Sequence, residues 1–310
     1  MRAKIKKRRR NRTITWAVII AVIIAVVIVV AYYLATFGSG TSPLIGTPVS
    51  SQIYGDLEAI AQSSNYGPVN SNFVTSPYVK VPTGLAFSSG KPIILFIGAE
   101  YCPLCAFQRW PLTIALMRFG NVSGLNYMQS TAQDVDPNTY TFSYLNLHYS
   151  SNYFTFQRYE AESRVEGQAL QTVPTNYSTI FASAGGGYPF IDFNNKYAVE
   201  GSYYYPDAFA GMNWTQIIKQ IQNPNSQISN EVMTVANALT ALICNLTGGS
   251  PTSVCSNPSI TSLHVSLAAY RPGASVTAPL YTSSLGTVGV SAGPAVEDTP
   301  VITNSFGRRS

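Results

Sequence analysis

The stretch from Lys91 to Gly120 constrains this chain more than any other. Pro92 precedes Ile93-Ile94-Leu95-Phe96-Ile97-Gly98, a continuous apolar run of the kind that forms a strand buried on both faces. Gly98-Ala99-Glu100-Tyr101 leads out of it into Cys102-Pro103-Leu104-Cys105. From Pro103 the apolar spacing becomes helical, through Leu104, Phe107, Leu112, Ala115, Leu116 and Phe119. Pro103 suits a first helical turn, where its missing N–H has no intrahelical partner to lose. Pro111 is expected to kink this helix and Gly120 to end it.

That arrangement carries chemistry. A cysteine at a helix start meets unpaired backbone N–H groups and the positive end of the helix dipole, and both favour the thiolate over the thiol. Two intervening residues put the second sulfur one helical turn on, within reach of a disulfide. Cys102 is therefore the candidate nucleophile and Cys105 the resolving thiol that releases a mixed disulfide. A structural disulfide and half of a zinc site are the competing readings. Zinc usually takes four ligands, and the remaining candidates, Cys244, Cys255, His148 and His264, have no paired short spacing. No metal and no other cofactor is expected.

A second signal lies downstream, where Gly185-Gly186-Gly187-Tyr188-Pro189 opens a hairpin pattern. Phe190–Phe193 read as a strand, Asn194-Asn195 as the turn and Tyr197–Val199 as the return strand. With these residues in view the chain resembles the thioredoxin superfamily over roughly Pro82 to Pro224. The resemblance implies that a cis-proline faces the dithiol and that the residue before it offers its backbone to an extended substrate. By position these are Pro189 and Tyr188. An ordinary trans-proline opening an edge strand is the alternative for Pro189.

On the same resemblance Leu125–Ser130 is the second strand. Thr139–Leu145 and Tyr153–Tyr159 are further strands or an inserted hairpin, Thr175–Ala184 a crossover helix, and Trp214–Gln222 the terminal helix. The expected fold is α/β, a thioredoxin-like three-layer sandwich with a mixed sheet, preceded by one N-terminal transmembrane helix. The segment Ala99 to Ala106 and a cysteine pair near the carboxyl end also resemble an archaeal family of membrane-anchored thioredoxin-like domains of unknown function. Three features depart from the thioredoxin pattern. Tyr101 stands where Trp usually precedes the first cysteine, and Pro111 lies one residue farther from the dithiol. The strand before the dithiol also lacks a carboxylate to take the proton of the second thiol, which leaves Glu100 as the nearby acid.

The charge pattern sets the topology. Residues 2–12 hold eight of the nineteen basic residues, and the body keeps eleven basic against fourteen acidic ones, a net of −3. A nucleic-acid-binding surface is not expected from that balance. From Ile14 to Leu34 there is no charge, and about 20 apolar residues cross a hydrocarbon core of about 30 Å. The basic flank holds the amino terminus in the cytoplasm and puts the rest outside, with Trp16, Tyr32 and Tyr33 near the interfaces. A cleaved signal peptide is the competing reading; the apolar run exceeds the usual core of about 7–15 residues and no small-x-small site follows.

The expected organisation is a basic cytoplasmic segment over 1–13, a transmembrane helix over 14–35 and a linker over 36–50. An extracytoplasmic thioredoxin-like domain with a helical C-terminal extension follows over 51–270, then a low-complexity tail over 271–310. The tail is either disordered or docked as short strands. A short helix is expected near Ser51–Ala61, with Ile53, Leu57 and Ile60 on one face.

The other two cysteines read as a structural disulfide, Cys244–Cys255, closing a Gly- and Pro-rich turn after a helix over Glu231 to Ile243. A dithiol that shuttles electrons to a partner is the alternative. Asn121, Asn176, Asn213 and Asn245 match the N-glycosylation acceptor pattern. Two functions remain open at this point. One is a membrane-anchored thiol–disulfide oxidoreductase acting on protein thiols or disulfides, with a membrane redox partner as a candidate electron donor or acceptor. The other is a non-catalytic cell-surface interaction domain on the same scaffold, suggested by the Tyr-rich, weakly charged composition.

Overall fold

A computed structural model describes residues 16–29, 40–70 and 90–269. The chain divides into two units, 1–41 and 42–310. In the first, residues 16–29 are helical, and Trp16, Ile20, Ile24 and Ile28 are exposed. Among the described residues no helix is long and apolar enough to cross a membrane. The rest of the expected span over 14–35, the basic segment 1–13 and the tail 271–310 lie outside the described residues.

The second unit is mixed α/β. Strand β1 (Ile93–Ala99) is buried at every position, as an uninterrupted apolar run requires. It pairs in parallel with β6 (Thr155–Glu162) and antiparallel with β7 (Phe190–Phe193), which pairs in turn with β8 (Tyr197–Glu200). The four form a mixed sheet in the order β6-β1-β7-β8. Side chains alternate across it. Leu95, Ile97, Phe190 and Ala198 face Tyr177, Ile180 and Ala184 around the helix α3 (Thr175–Ser183).

Ile94, Phe96, Ile191, Phe193 and Val199 face the larger core. That core is built from α1 (Ser51–Gln62), α2 (Pro103–Met117), α4 (Trp214–Gln222) and α5 (Gln227–Leu246). Helix α5 is buried along nearly its whole length, which its apolar circumference demands. After it come α6 (Thr252–Cys255) and α7 (Pro258–Ala269). The Cys244–Cys255 disulfide joins the end of α5 to α6 across 11 residues. On a chain-entropy account a loop of that size contributes about 3 kcal/mol.

Two expectations are revised. Leu125–Ser130 does not enter the main sheet. Strand β3 (Asn126–Gln129) pairs with β4 (Tyr140–Ser143) in a separate two-stranded ladder, and β2 (Asn121–Ser123) pairs with β5 (His148–Ser150) in another. The strand beside β1 is β6, which meets all seven residues of β1, whereas β3 has four residues. Residues 42–50, read as part of a tether, dock on β3: the N–H groups of Gly46 and Val49 donate to the carbonyls of Tyr127 and Leu125 at 2.8 and 3.0 Å. That backbone pairing and the burial of Val49 hold a segment whose composition alone gives it little to pack.

Helix α2 continues through Pro111 and ends at Met117. Gly120 follows where a Cβ would collide with the Ser150 carbonyl, so the close approach of β5 excludes a side chain there. The β7–β8 turn places Asn194 and Asn195 at φ 55° and 58°, the left-handed region that asparagine tolerates and a two-residue hairpin needs.

Asp192 is fully buried in β7, and one of its oxygens accepts from the Asn195 N–H at 2.9 Å while the other has no partner. Burial pushes its carboxyl up to about 7, and the Asn195 hydrogen bond pulls against that. Because the folded value lies above the unfolded one, ionising Asp192 destabilises the fold. That cost is absent below about pH 4, grows as pH rises towards the folded value, and is constant above it. Asp192→Asn keeps the acceptor for Asn195. It is expected to stabilise the protein by roughly 2–4 kcal/mol at pH 8 and hardly at pH 4, since a tenfold change in proton affinity on folding is worth about 1.4 kcal/mol. Thermal unfolding at the two pH values measures this, and an equal effect at both would contradict it.

Candidate functional site

Beyond Ala99 the backbone is held on both sides. The N–H groups of Glu100 and Tyr101 donate to the carbonyls of Glu162 and Ser163 at 3.0 and 3.1 Å. Thr131 N–H donates to the Tyr101 carbonyl at 2.9 Å. This clamp delivers Cys102 to the start of α2 in an extended conformation, φ −74° and ψ 120°. Its Sγ accepts from the Cys105 N–H at 3.1 Å, the position of an N-cap side chain, and Pro103 fills the first turn. The two thiols are not bonded to each other. They differ in access: Cys102 is 7% exposed and Cys105 is fully buried.

The wall opposite the dithiol comes from the segment before β7. The Tyr188–Pro189 peptide is cis, and the Tyr188 carbonyl oxygen lies 4.0 Å from Cys102 Sγ. The Tyr188 ring stacks on Phe181 at 5.3 Å and meets Tyr101 edge-on at 6.5 Å. The preceding glycines wrap the Glu200 carboxylate: Gly187 N–H donates to it at 2.6 Å. A Cβ on Gly185, which has φ +119°, would lie 2.7 Å from Glu200 Oε1. Tyr188 is thus aimed at the dithiol by a loop whose positive φ angles at Gly185 and Gly186 favour glycine.

Beneath the dithiol is a charged layer that the sequence did not reveal. Arg109, one turn after Cys105, is fully buried and pairs with the fully buried Glu160 of β6, at 3.1 Å through Nε and 2.5 Å through Nη2. Nη2 also donates to the Ala99 carbonyl at 3.0 Å, and Glu160 accepts from the Tyr144 N–H at 2.9 Å. Burial alone would lower the arginine's pKa, and Glu160 more than reverses it. Glu100, the acid singled out from the sequence, is also buried, and Ser143 Oγ donates to its carboxylate at 2.5 Å. Burial raises its carboxyl above the usual range and the Ser143 hydrogen bond opposes the rise.

The buried Cys105 thiol is pushed well up, first by desolvation and then by Cys102. Arg109 and a backbone hydrogen bond at Ala99 pull it back. Burial, reinforced by Glu162, raises the Tyr188 phenol to about 12.

The structure therefore brings Cys102, Cys105, Tyr188, Pro189 and Glu100 into one region and adds Arg109 and Glu160. The other residues singled out lie apart from it. Cys244 and Cys255 are joined in a buried disulfide. Asn121 and Asn176 are exposed, Asn213 caps α4 by accepting from the Gln216 N–H at 3.0 Å, and Asn245 is half-buried at the end of α5. His148 is exposed on β5, and the His264 side chain is outside the described residues. Among the described residues no three His, Cys, Asp or Glu side chains converge to hold a metal ion. The arrangement can present one sulfur to a partner at the surface and keep a second in reserve below it. In native protein a neutral alkylating reagent is expected to modify Cys102 at least about tenfold faster than Cys105, the buried thiol being protected by desolvation and lack of access. Peptide mass mapping of a time course reads this, and equal rates would contradict it.

No curated protein and no solved structure matches this chain. The sequence pattern of a domain of unknown function, DUF929, matches residues 77–245, which include the dithiol, the Tyr188–Pro189 segment and the buried ion pair. That match extends over more than half of the sequence, and the chain belongs to the DUF929 family.

Proposed function

We propose that this protein is a thiol–disulfide oxidoreductase on a thioredoxin-like scaffold, held to a membrane by its amino-terminal segment with the domain outside. The observation that carries the proposal is the pair of sulfurs at the start of α2. One keeps a small exposed fraction, is capped by the Cys105 N–H and lies 4.0 Å from the Tyr188 carbonyl; the other is wholly buried. The scaffold reading is supported by β1 lying between a parallel and an antiparallel neighbour, with the dithiol at its carboxyl end. The anchor is supported by the basic residues of 2–12, the uncharged run to Leu34 and the helical conformation of residues 16–29. The Cys244–Cys255 disulfide agrees with an oxidising compartment.

In the reductive direction the Cys102 thiolate attacks a substrate disulfide. A Cys102–substrate S–S bond forms, the substrate S–S bond breaks, and the first substrate sulfur leaves as thiolate and takes up a proton. Cys105 then attacks Cys102 Sγ, the mixed disulfide breaks, and the second substrate thiolate leaves. The substrate gains two electrons and the dithiol becomes the Cys102–Cys105 disulfide. A dithiol partner, at the membrane or in solution, must restore it. The same steps in reverse oxidise a substrate dithiol. Tyr188 offers its backbone to the extended substrate segment, and the Tyr101 and Tyr188 rings flank it.

The test is an insulin-reduction assay with a dithiol reductant, with trapping as the second readout. Cys102→Ser is expected to fall to the uncatalysed rate. Cys105→Ser is expected to accumulate a mixed disulfide with substrate, which non-reducing electrophoresis detects. Activity of Cys102→Ser equal to wild type would remove this reading and leave a non-catalytic interaction domain.

A further inference from the structure

Thiol–disulfide exchange at Cys102 and Cys105 meets a difficulty in its resolving step, and the role assigned to Arg109 rests on that exchange taking place. Cys105 must become a thiolate at a fully buried position, where desolvation opposes charge. The chain has no carboxylate in β1 to draw off its proton. The group that the fold places there is a cation.

Arg109 follows Cys105 by four residues on α2, so the two side chains share a helix face. Both meet Ala99: Arg109 Nη2 donates to its carbonyl at 3.0 Å, and Cys105 packs against it in the small buried cluster they form with Cys102. Glu160 holds the Nε–Nη2 edge of the guanidinium in a two-point pair and shares Nη2 with the Ala99 carbonyl. Nη1 is left buried with no acceptor. A buried donor without a partner is costly, so a state that supplies an acceptor or a negative charge nearby is favoured.

We infer that Arg109 is the positioning residue of the resolving step, its buried guanidinium supplying the positive charge against which Cys105 becomes a thiolate. Glu160 sets the guanidinium's place and tempers its charge, so that it acts on the sulfur above without leaving a bare cation in the core. The titratable groups that face or neighbour Cys105 are Cys102, which caps α2, and Arg109 on it, Glu100 and Tyr101 before it, Glu160 and Glu162 on β6, and Tyr188 before β7. All except Arg109 are neutral or negative, so the one source of attraction for the thiolate among them is Arg109. In the step itself the Cys105 S–H proton is lost and the Cys102–Cys105 bond forms. The Cys105 proton passes to solvent, the Cys102–substrate bond breaks, and the second substrate sulfur departs as a thiolate that takes up a proton only if its own pKa lies above the pH.

A nitrophenyl disulfide whose thiolate absorbs visible light separates the two events in full-length reduced protein. Attack by Cys102 releases the first thiolate, and attack by Cys105 on the mixed disulfide releases the second. Arg109→Met combined with Glu160→Gln removes both charges together. It is expected to leave the first phase within about twofold of wild type and to slow the second by about tenfold at pH 7, with its midpoint moved to higher pH, a net of lost thiolate and partly compensating nucleophilicity. Arg109→Lys, which keeps the charge, is expected to retain the second phase within about threefold, because only the forked geometry is lost.

Glu160→Gln alone leaves Arg109 unbalanced and is expected to move the second-phase midpoint to lower pH. It strands a buried charge and is read only where the protein remains folded. Arg109→Lys, which keeps both charges, carries the test if the double variant fails to fold, and a second phase slowed about tenfold or more in it then overturns the inference. An unchanged or raised midpoint in Glu160→Gln overturns the inference. So does an unchanged second phase in a folded double variant, or an Arg109→Lys variant as slow as the double one. Wild-type protein that releases no thiolate at all overturns the exchange reading itself, a result distinct from these three.

Discussion

The Arg109–Glu160 pair ties the helix that begins at Cys102 to the strand that flanks β1, and most of the site's geometry follows from it. Both groups are fully buried, so each has given up its hydration, and attraction between them alone need not repay that loss. What makes the pair tenable is that its remaining valences are largely filled. Ala99 accepts from the guanidinium, Tyr144 N–H donates to the carboxylate, and the Phe96 and Tyr144 rings lie 5.7 and 5.9 Å from the arginine carbon. Removing either partner alone would strand a charge in the core, typically a cost of about 3–5 kcal/mol. The pair therefore fixes where α2 starts relative to the sheet, and with it the depth of Cys105.

Around that fixed point the cleft is held by backbone hydrogen bonds and walled by the Tyr101 and Tyr188 rings. The Glu100–Tyr101 turn is pinned to β6 and to Thr131, and the glycine loop wrapped on Glu200 brings Tyr188 to within 4.0 Å of Cys102 Sγ. Aromatic packing below α2 keeps the helix from shifting along the sheet. Trp110 donates to the Tyr140 carbonyl at 2.9 Å and lies 4.6 Å from the Phe142 ring. The dithiol is thus presented by rigid elements, which is what a reaction between two closely placed sulfurs needs.

Much of this was legible in the sequence, for local reasons. The apolar run Ile93–Gly98 admits little other than a buried strand, and Cys102-Pro103-Leu104-Cys105 marks its own helix start. Asn194-Asn195 between two short apolar runs likewise names its hairpin. What the sequence obscured is non-local. Thr155–Glu162 is mostly polar, with Gln157-Arg158 breaking any alternation, so nothing in it announces pairing with β1, whereas Leu125–Ser130 carries the better local pattern and pairs elsewhere. Residues 42–50 gain order only from the edge of β3. The ion pair was hidden for the same reason: its members are 51 residues apart, and each alone looks like a surface charge. The available hint was that Arg109 is the one charged residue of α2, in a helix that is largely apolar after the dithiol.

The central claim is that Cys102 and Cys105 cycle between dithiol and disulfide instead of serving as a permanent crosslink. A redox titration of that pair against a glutathione or dithiothreitol buffer addresses it directly, with the buried Cys244–Cys255 disulfide left intact. A working exchange site should titrate between about −120 and −270 mV, where thiol–disulfide enzymes operate. A midpoint below about −300 mV, the range of inert structural disulfides, would contradict the account.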